Sequence, residues 1–538
     1  MKKIIVTGAT ILMALFIAAP SFAIETKVTG TFTLDGVLDY NPSLTSDKDA
    51  KETISYREMQ LRINTESKIT DKITFYTRFD ILDKLLSSKE TNSVVATGED
   101  DDNIQFDRAW MQIISPVGVF RLGRKEGIKW GTDFFDDGNA YGTDRAEWII
   151  PINVGEDKFV IGMVGEKALE TTRQNEDNEK FYVTGTYVAK DFKTGLLIGY
   201  YNYKSFKEEN GADDLSSSYT DLLAAGANQL TAGTTYQTSA LTYGLADIRT
   251  QNAYFNYNST VSATNEAKGI FGSAAQNYLP KASGAITYIA PYFSGKLGPL
   301  SINAEFDYVT GEAQFEDVKT TEMVFAVASQ HPLFNPLNPT PAGSPAAFTY
   351  AADYIDQAYG NKKDVTMMAY LLQVGYDISQ STIQLGYAFM SGDKDGGLND
   401  LEASAMLAPS EDWEKVFILT SNDHGMSSTL GGDGNILNIG SDMNSSGMNL
   451  MYADYSFNVN DSLSIGGLFA YATADEAPDG YEDDYGMEVD LRLHATFMEN
   501  LQYNVVAGYL MSGDFWKKGG TDKVDDVFAF YHEIVLSF

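Results

Sequence analysis

The 538-residue chain contains no cysteine, so neither a disulfide framework nor thiol chemistry shapes it. Proline is scarce at 14 residues and histidine scarcer at four. Beyond about residue 19 no window approaches the ~18 consecutive apolar residues that a spanning helix needs. Cations are outnumbered, 39 Lys and Arg against 74 Asp and Glu, and the formal charge of -35 argues against nucleic acid as a partner. His331, His424, His494 and His532 form no His-Glu-x-x-His zinc motif, and neither Gly-x-Ser-x-Gly nor a phosphate-binding glycine loop occurs. The single base–nucleophile pair to consider is His494 with Ser512. The chain therefore reads as a non-enzyme without a cofactor or a metal centre.

What is present points elsewhere. Tyr (32), Phe (30) and Gly (47) are plentiful, whereas a disordered acidic chain would be poor in aromatics. Aromatics and glycines with few prolines suit long strands. At the start, Lys2 and Lys3 precede an apolar stretch from Ile4 to Ala19, then Pro20-Ser21-Phe22-Ala23. This pattern predicts a secretory signal peptide over 1–23, cut after Ala23, with no cysteine for lipid attachment. At the other end, Phe538, Leu536, Ile534, His532, Phe530 and Phe528 form one face, apolar except for His532. An apolar alternating row closing on an aromatic residue is similar to the assembly signal of outer-membrane barrels, with Phe538 as its last residue.

Period-2 segments recur along the chain. From Tyr485 to Met498, Met487, Val489, Leu491, Leu493, Ala495 and Phe497 share one face, and Glu488, Asp490, Arg492 and His494 share the other. A charged side chain facing lipid costs roughly 2–4 kcal/mol at the midplane for Arg or Lys, so the charged row is assigned to water. Tight turns are predicted at Thr65–Lys72, Ser115–Gly118, Val154–Glu156, Asp191–Gly195, Leu297–Pro299, Asp377–Ser381, Asn458–Asp461 and Met498–Asn500. The opposite strand ends run into long acidic segments, chief among them 207–282, 313–362 and 393–445. The expectation is an all-β fold over 24–538: a transmembrane antiparallel up-and-down β-barrel of about 18 strands with long extracellular loops, in the outer membrane and in contact with its lipids. In the longest loop, Asp221–Gly226 could form a short helix.

Asp107–Gly127 carries an Arg108-Ala109-Trp110 strand, a glycine turn and Arg121-Leu122-Gly123-Arg124. This resembles the early hairpin of bacterial porins. Gly386–Asp393 and Gly508–Asp514 repeat a Gly-Tyr…Ser-Gly-Asp pattern, and Tyr485–Asp490 precedes the second copy. These motifs resemble the alginate-export family of outer-membrane channels. The resemblance implies an 18-stranded barrel with an arginine-rich pore for a polyanion, and the C-terminal signal ending in Phe538 implies the barrel-assembly machinery as a partner.

The candidate pore-lining and selectivity residues are Arg62, Arg78, Asp80, Arg108, Arg121, Glu305, Asp307, Glu488, Asp490 and Arg492. Arg78, Arg108 and Arg121 lie on neighbouring strands and, if all point inward, make a basic ladder that filters solutes by charge. The plainer alternative is that they satisfy lumen carboxylates and stiffen the wall. By parity Arg124 should face outward. The segment Glu126–Asp144 is the candidate constriction loop, with Trp130, Asp133, Asp136 and Asp137. Asp393-Lys394-Asp395-Gly396-Gly397 opens like a calcium loop but lacks its remaining ligands. Three functions stay open: a passive channel for small hydrophilic solutes, with cation preference from the acidic balance; an exporter of an anionic polysaccharide; and a structural barrel sheathing a partner. Oligomeric state is not legible.

Overall fold

The computed structural model describes residues 24–86 (without 43, 45, 49, 50 and 52), 104–169 (without 128, 129, 133 and 135–142), 178–204, 281–316, 363–393, 402, 413, 415–420 and 446–538 (without 478, 479, 518, 519, 521 and 522). The signal-peptide segment 1–23, the Asp221–Gly226 patch and Lys394–Gly397 lie outside them.

Eighteen strands follow in order: β1 (Glu25–Tyr40), β2 (Thr53–Thr70), β3 (Ile73–Leu85), β4 (Ile104–Ser115), β5 (Gly118–Lys125), β6 (Thr143–Val154), β7 (Asp157–Leu169), β8 (Asn178–Val188), β9 (Phe192–Lys204), β10 (Lys281–Leu297), β11 (Leu300–Glu316), β12 (Lys363–Ile378), β13 (Ser381–Met390), β14 (Met448–Asn460), β15 (Leu463–Thr473), β16 (Asp484–Met498), β17 (Leu501–Ser512) and β18 (Val527–Ser537). Each pairs antiparallel with the next, and β1 also pairs with β18 from Thr31↔Ser537 to Tyr40↔Phe528. The sheet is thus a closed barrel with no free edge, which pairs its strands without water. All eight predicted turns are found at one end, shifted by a few residues at Thr65–Lys72 and Asp191–Gly195, where the strands run further than the polar residues suggest.

Alternation sorts the two faces. On β16, Met487, Val489 and Leu491 are exposed while Glu488 and Asp490 are buried; Phe106, Phe181, Leu385 and Met451 are exposed in the same way on other strands. A strand surface this apolar and this exposed is the surface of a barrel standing in lipid.

The closing seam explains His532. No bulge occurs there: His532 lies opposite Gly36, its ring over the space where a Cβ would stand, 6.0 Å from Tyr503 and 5.9 Å from Phe530 by ring centroids. Phe538 is stapled to the same strand, donating to the Gly30 carbonyl (2.9 Å) and accepting from the Gly30 N–H (2.8 Å). Gly36→Val is expected to destabilise the barrel by about 1–3 kcal/mol through overpacking. Urea unfolding followed by the gel-mobility shift measures it, and His532→Ala should restore much of the loss.

The interior is not uniformly polar. The inner faces of β12 to β18 and of β1 carry an apolar cluster near the long-connection end, including Ala369, Leu371, Ala388, Met390, Leu450, Leu468, Ala470, Leu510 and Val37. Two segments from the long connections, around Phe134 and around Trp413–Leu419, pack into it.

Candidate functional site

One wall of the lumen, β2 to β6, carries a continuous chain of ion pairs. Arg62 grips Asp80 with two hydrogen bonds (2.7 and 3.0 Å), the fork-to-carboxylate geometry that fixes orientation. Arg78 stands between Asp80 (3.6 Å) and Asp107 (2.8 Å), and Arg108 between Asp107 (3.0 Å) and Glu126 (3.0 Å). Lys125 contacts Glu126 (2.6 Å) and Glu147 (3.8 Å), and Glu147 also holds Arg121 (3.6 Å) and Arg145 (2.9 Å).

A β-bulge makes this possible. Arg78 pairs directly with Arg108, and Phe79 with Phe106, so Asp107 is the extra residue on β4. Strict alternation would send Asp107 to lipid; the bulge turns both Asp107 and Arg108 inward. Like charges directly opposite would otherwise destabilise the pair, and Asp107 separates them. Trp110 completes the wall, stacked on Tyr76 (4.1 Å) with the Arg121 and Lys125 cations 5.7 and 5.5 Å from its ring centroid. The chain thus holds six cations (Arg62, Arg78, Arg108, Arg121, Lys125, Arg145) against four carboxylates (Asp80, Asp107, Glu126, Glu147). The most exposed are Arg121 at 33% and Arg62 at 26% of the side chain. The outward Arg124 instead pairs with Asp144 (3.0 Å), as its parity requires.

Glu126 is the junction between wall and loop. Burial works to raise its carboxyl, but the Lys125 ammonium, its own backbone N–H and Arg108 outweigh that and hold it at about 2, below the ordinary 4.5. A depressed folded value means that its stabilisation is complete above about pH 4.5 and is lost as pH falls through 2. Glu126→Gln should therefore be less stable than the parent at pH 7, with the two converging below pH 2, in acid unfolding followed by circular dichroism.

From Glu126 the chain runs into the barrel. Arg145 donates to the carbonyls of Glu126 and of Gly127 (2.7 Å). Trp130 donates its indole N–H to the Ala290 carbonyl (2.8 Å) and packs on Leu197 and Tyr292. Pro291 has no N–H to give, and Ala290 and Pro291 lack partners on β11 where the indole docks. Thr132 then donates its N–H (2.6 Å) and its hydroxyl to the Glu305 carboxylate. Phe134 meets Trp413 edge to face, 5.1 Å between centroids. The second segment continues from there. Lys415 binds Gln384 and Asp454 (both 2.6 Å), and Asp454 also takes Arg492. The Phe417 N–H is donated to Asp490 (3.1 Å), and those of Ile418 and Leu419 to Glu488 (2.5 and 2.9 Å).

Several sequence expectations are corrected by this arrangement. Glu305, Asp307, Glu488 and Asp490 do stand on the inner side, but all four are buried rather than water-lined. Glu305, Glu488 and Asp490 receive inserted backbone, because a carboxylate facing unpaired N–H groups satisfies both partners at once. Trp130 is a buried anchor, not a lining residue. Arg492 faces inward but is neutralised by Asp454. Asp133, Asp136 and Asp137 lie outside the described residues. His494 and Ser512 sit at opposite ends of their hairpin, opposite Asn504 and Gly486 respectively, so they cannot act as a pair. Asp107, Lys125, Arg145 and Glu147 were missed. Lys125, Arg145 and Glu147 have the right parity and could have been found; Asp107 could not, since the bulge reverses it.

No family model matches the chain, and no curated protein matches it. Solved structures similar to it include OccK8 (OprE) of Pseudomonas aeruginosa (10% identity, 96% of this chain and 98% of that one, TM-score 0.44). Another is OccAB4 of Acinetobacter baumannii (9%, 95% and 98%, 0.43). A third is an anion-selective porin from Comamonas acidovorans (9%, 96% and 100%, 0.39). These are weak likenesses, and the reading of the site rests on its own geometry.

Proposed function

We propose that the chain is a passive outer-membrane channel for small hydrophilic solutes and that it favours anions. The observation that carries this is the ion chain on β2 to β6, in which cations exceed carboxylates and Arg62 and Arg121 are the most exposed of them. Four acidic residues elsewhere on the inner face, Glu305, Asp307, Glu488 and Asp490, are covered and present little charge to a passing solute. Solutes would be sorted by that fixed wall charge within a low-dielectric surround. This reverses the cation preference expected from overall composition, which counts every carboxylate regardless of where it stands. Lipids contact the outer apolar rows, and Phe538, locked to Gly30, is the residue proposed for recognition by the barrel-assembly machinery.

Export of an anionic polysaccharide would draw on the same arginines, and a sheath would need an open bore. The two inserted segments, meeting at Phe134 and Trp413, weigh against a path wide enough for either. Liposome swelling tests the proposal: small carboxylates should enter faster than cations of equal size. Equal rates, or faster entry of cations, would remove the anion preference.

A further inference from the structure

The strand β11 presents Glu305 and Asp307 two residues apart on one face, as β16 presents Glu488 and Asp490. The two pairs are treated differently by their surroundings. On β16 the two carboxyls together receive three backbone N–H groups. On β11, Glu305 receives Thr132, whereas Asp307, 1% exposed, has no hydrogen-bond partner at either oxygen among the described residues. Its cross-strand neighbour on β12 is Ala369, wholly buried, and Trp130 docks over the adjoining stretch of β10 at Ala290. Among the described residues its electrostatic neighbour is the like-charged Glu305.

A buried carboxylate without donors is among the costliest groups a fold can contain, and a protein retains one when something else compensates it. We propose that Asp307, with Glu305, binds a divalent cation, with calcium as its probe, and that the ion pins the inserted segment around Thr132 to the barrel wall. The donors are all oxygens, the preference of hard cations. Glu305 would bridge the ion on one side and the Thr132 N–H on the other, so ion binding and segment docking reinforce each other. A proton shared between the two carboxyls is the rival explanation. It predicts that Asp307→Asn binds as much calcium as the parent.

Among the described residues no group of three or more acidic or histidine side chains gathers. A two-carboxylate site is therefore expected to bind weakly, with Kd of about 10⁻⁴–10⁻³ M, the range of extracellular calcium modules. The test is calcium binding by titration calorimetry on the intact barrel in detergent after chelation. It compares the parent with Asp307→Asn, which keeps the shape and the fold, and with Asp377→Asn as a control at the short-turn end of β12. The parent and the control should bind one more calcium ion per chain than Asp307→Asn. Equal binding by all three, whether zero or not, would overturn the site. Because binding is read without conductance, a barrel that binds calcium yet passes no solute would keep the site and lose the channel.

Discussion

Replacing Arg62 and Arg121 together with glutamate is expected to turn the channel from anion-preferring to cation-preferring. These side chains are the most exposed of the six cations on the wall, so a passing ion meets their charge with the least protein in between. Two unit charges at 4 Å interact by about 1 kcal/mol in bulk water and about 4 kcal/mol near a protein surface. Since ~1.4 kcal/mol is a factor of ten, two reversals should shift the permeability ratio by at least about tenfold. Arg62→Gln with Arg121→Gln should move it the same way by less. Arg124→Glu is the control. Its pair with Asp144 is more than half exposed on the outward face, and the ratio should stay put. A double glutamate variant with unaltered selectivity would show that the ion chain only stiffens the wall.

A second large effect is expected from Glu488→Ala combined with Asp490→Ala, which should raise conductance. The segment 415–420 is held by burial of Val416, Phe417, Ile418 and Leu419 and by three N–H groups donated to these two carboxylates. Burying four apolar side chains gains about 1.5–3 kcal/mol each. Fixing the backbone of the segment costs about 1–2 kcal/mol per residue, a sum of the same size. The hydrogen bonds decide the balance, and each donor left buried and unpaired costs about 1–3 kcal/mol. The segment should therefore release while the barrel, closed by ladder bonds through all eighteen strands, remains. Unchanged conductance in the folded double variant would mean that the segment does not obstruct the path. Glu488→Gln keeps an acceptor oxygen and should fall between the two.

The barrel was legible in the sequence because lipid imposes a simple rule: residues such as Leu491 and Met451 must be apolar, and their neighbours need not be. That rule gives strand number, turns and the inward side of Arg62, Arg78, Arg121 and Glu488. It is silent on what covers the inward side. Glu488 and Asp490 look like pore charges by parity, yet they are the seats of a segment that begins over 60 residues earlier in the chain. Trp130 reads as an eyelet residue, yet it docks where β10, beside Pro291, lacks its β11 partners. Arg108 follows from parity, whereas Asp107 is turned inward by the bulge, a local geometry that no period-2 count contains.

The most direct test is the reversal potential of the parent protein in a planar bilayer under a KCl gradient. A sign showing chloride preferred over potassium, on a steady open conductance, is the result predicted from the excess of cations in the ion chain. Potassium preference would contradict it, showing that carboxylates outside that wall govern the path, and the absence of any conductance would contradict the channel itself.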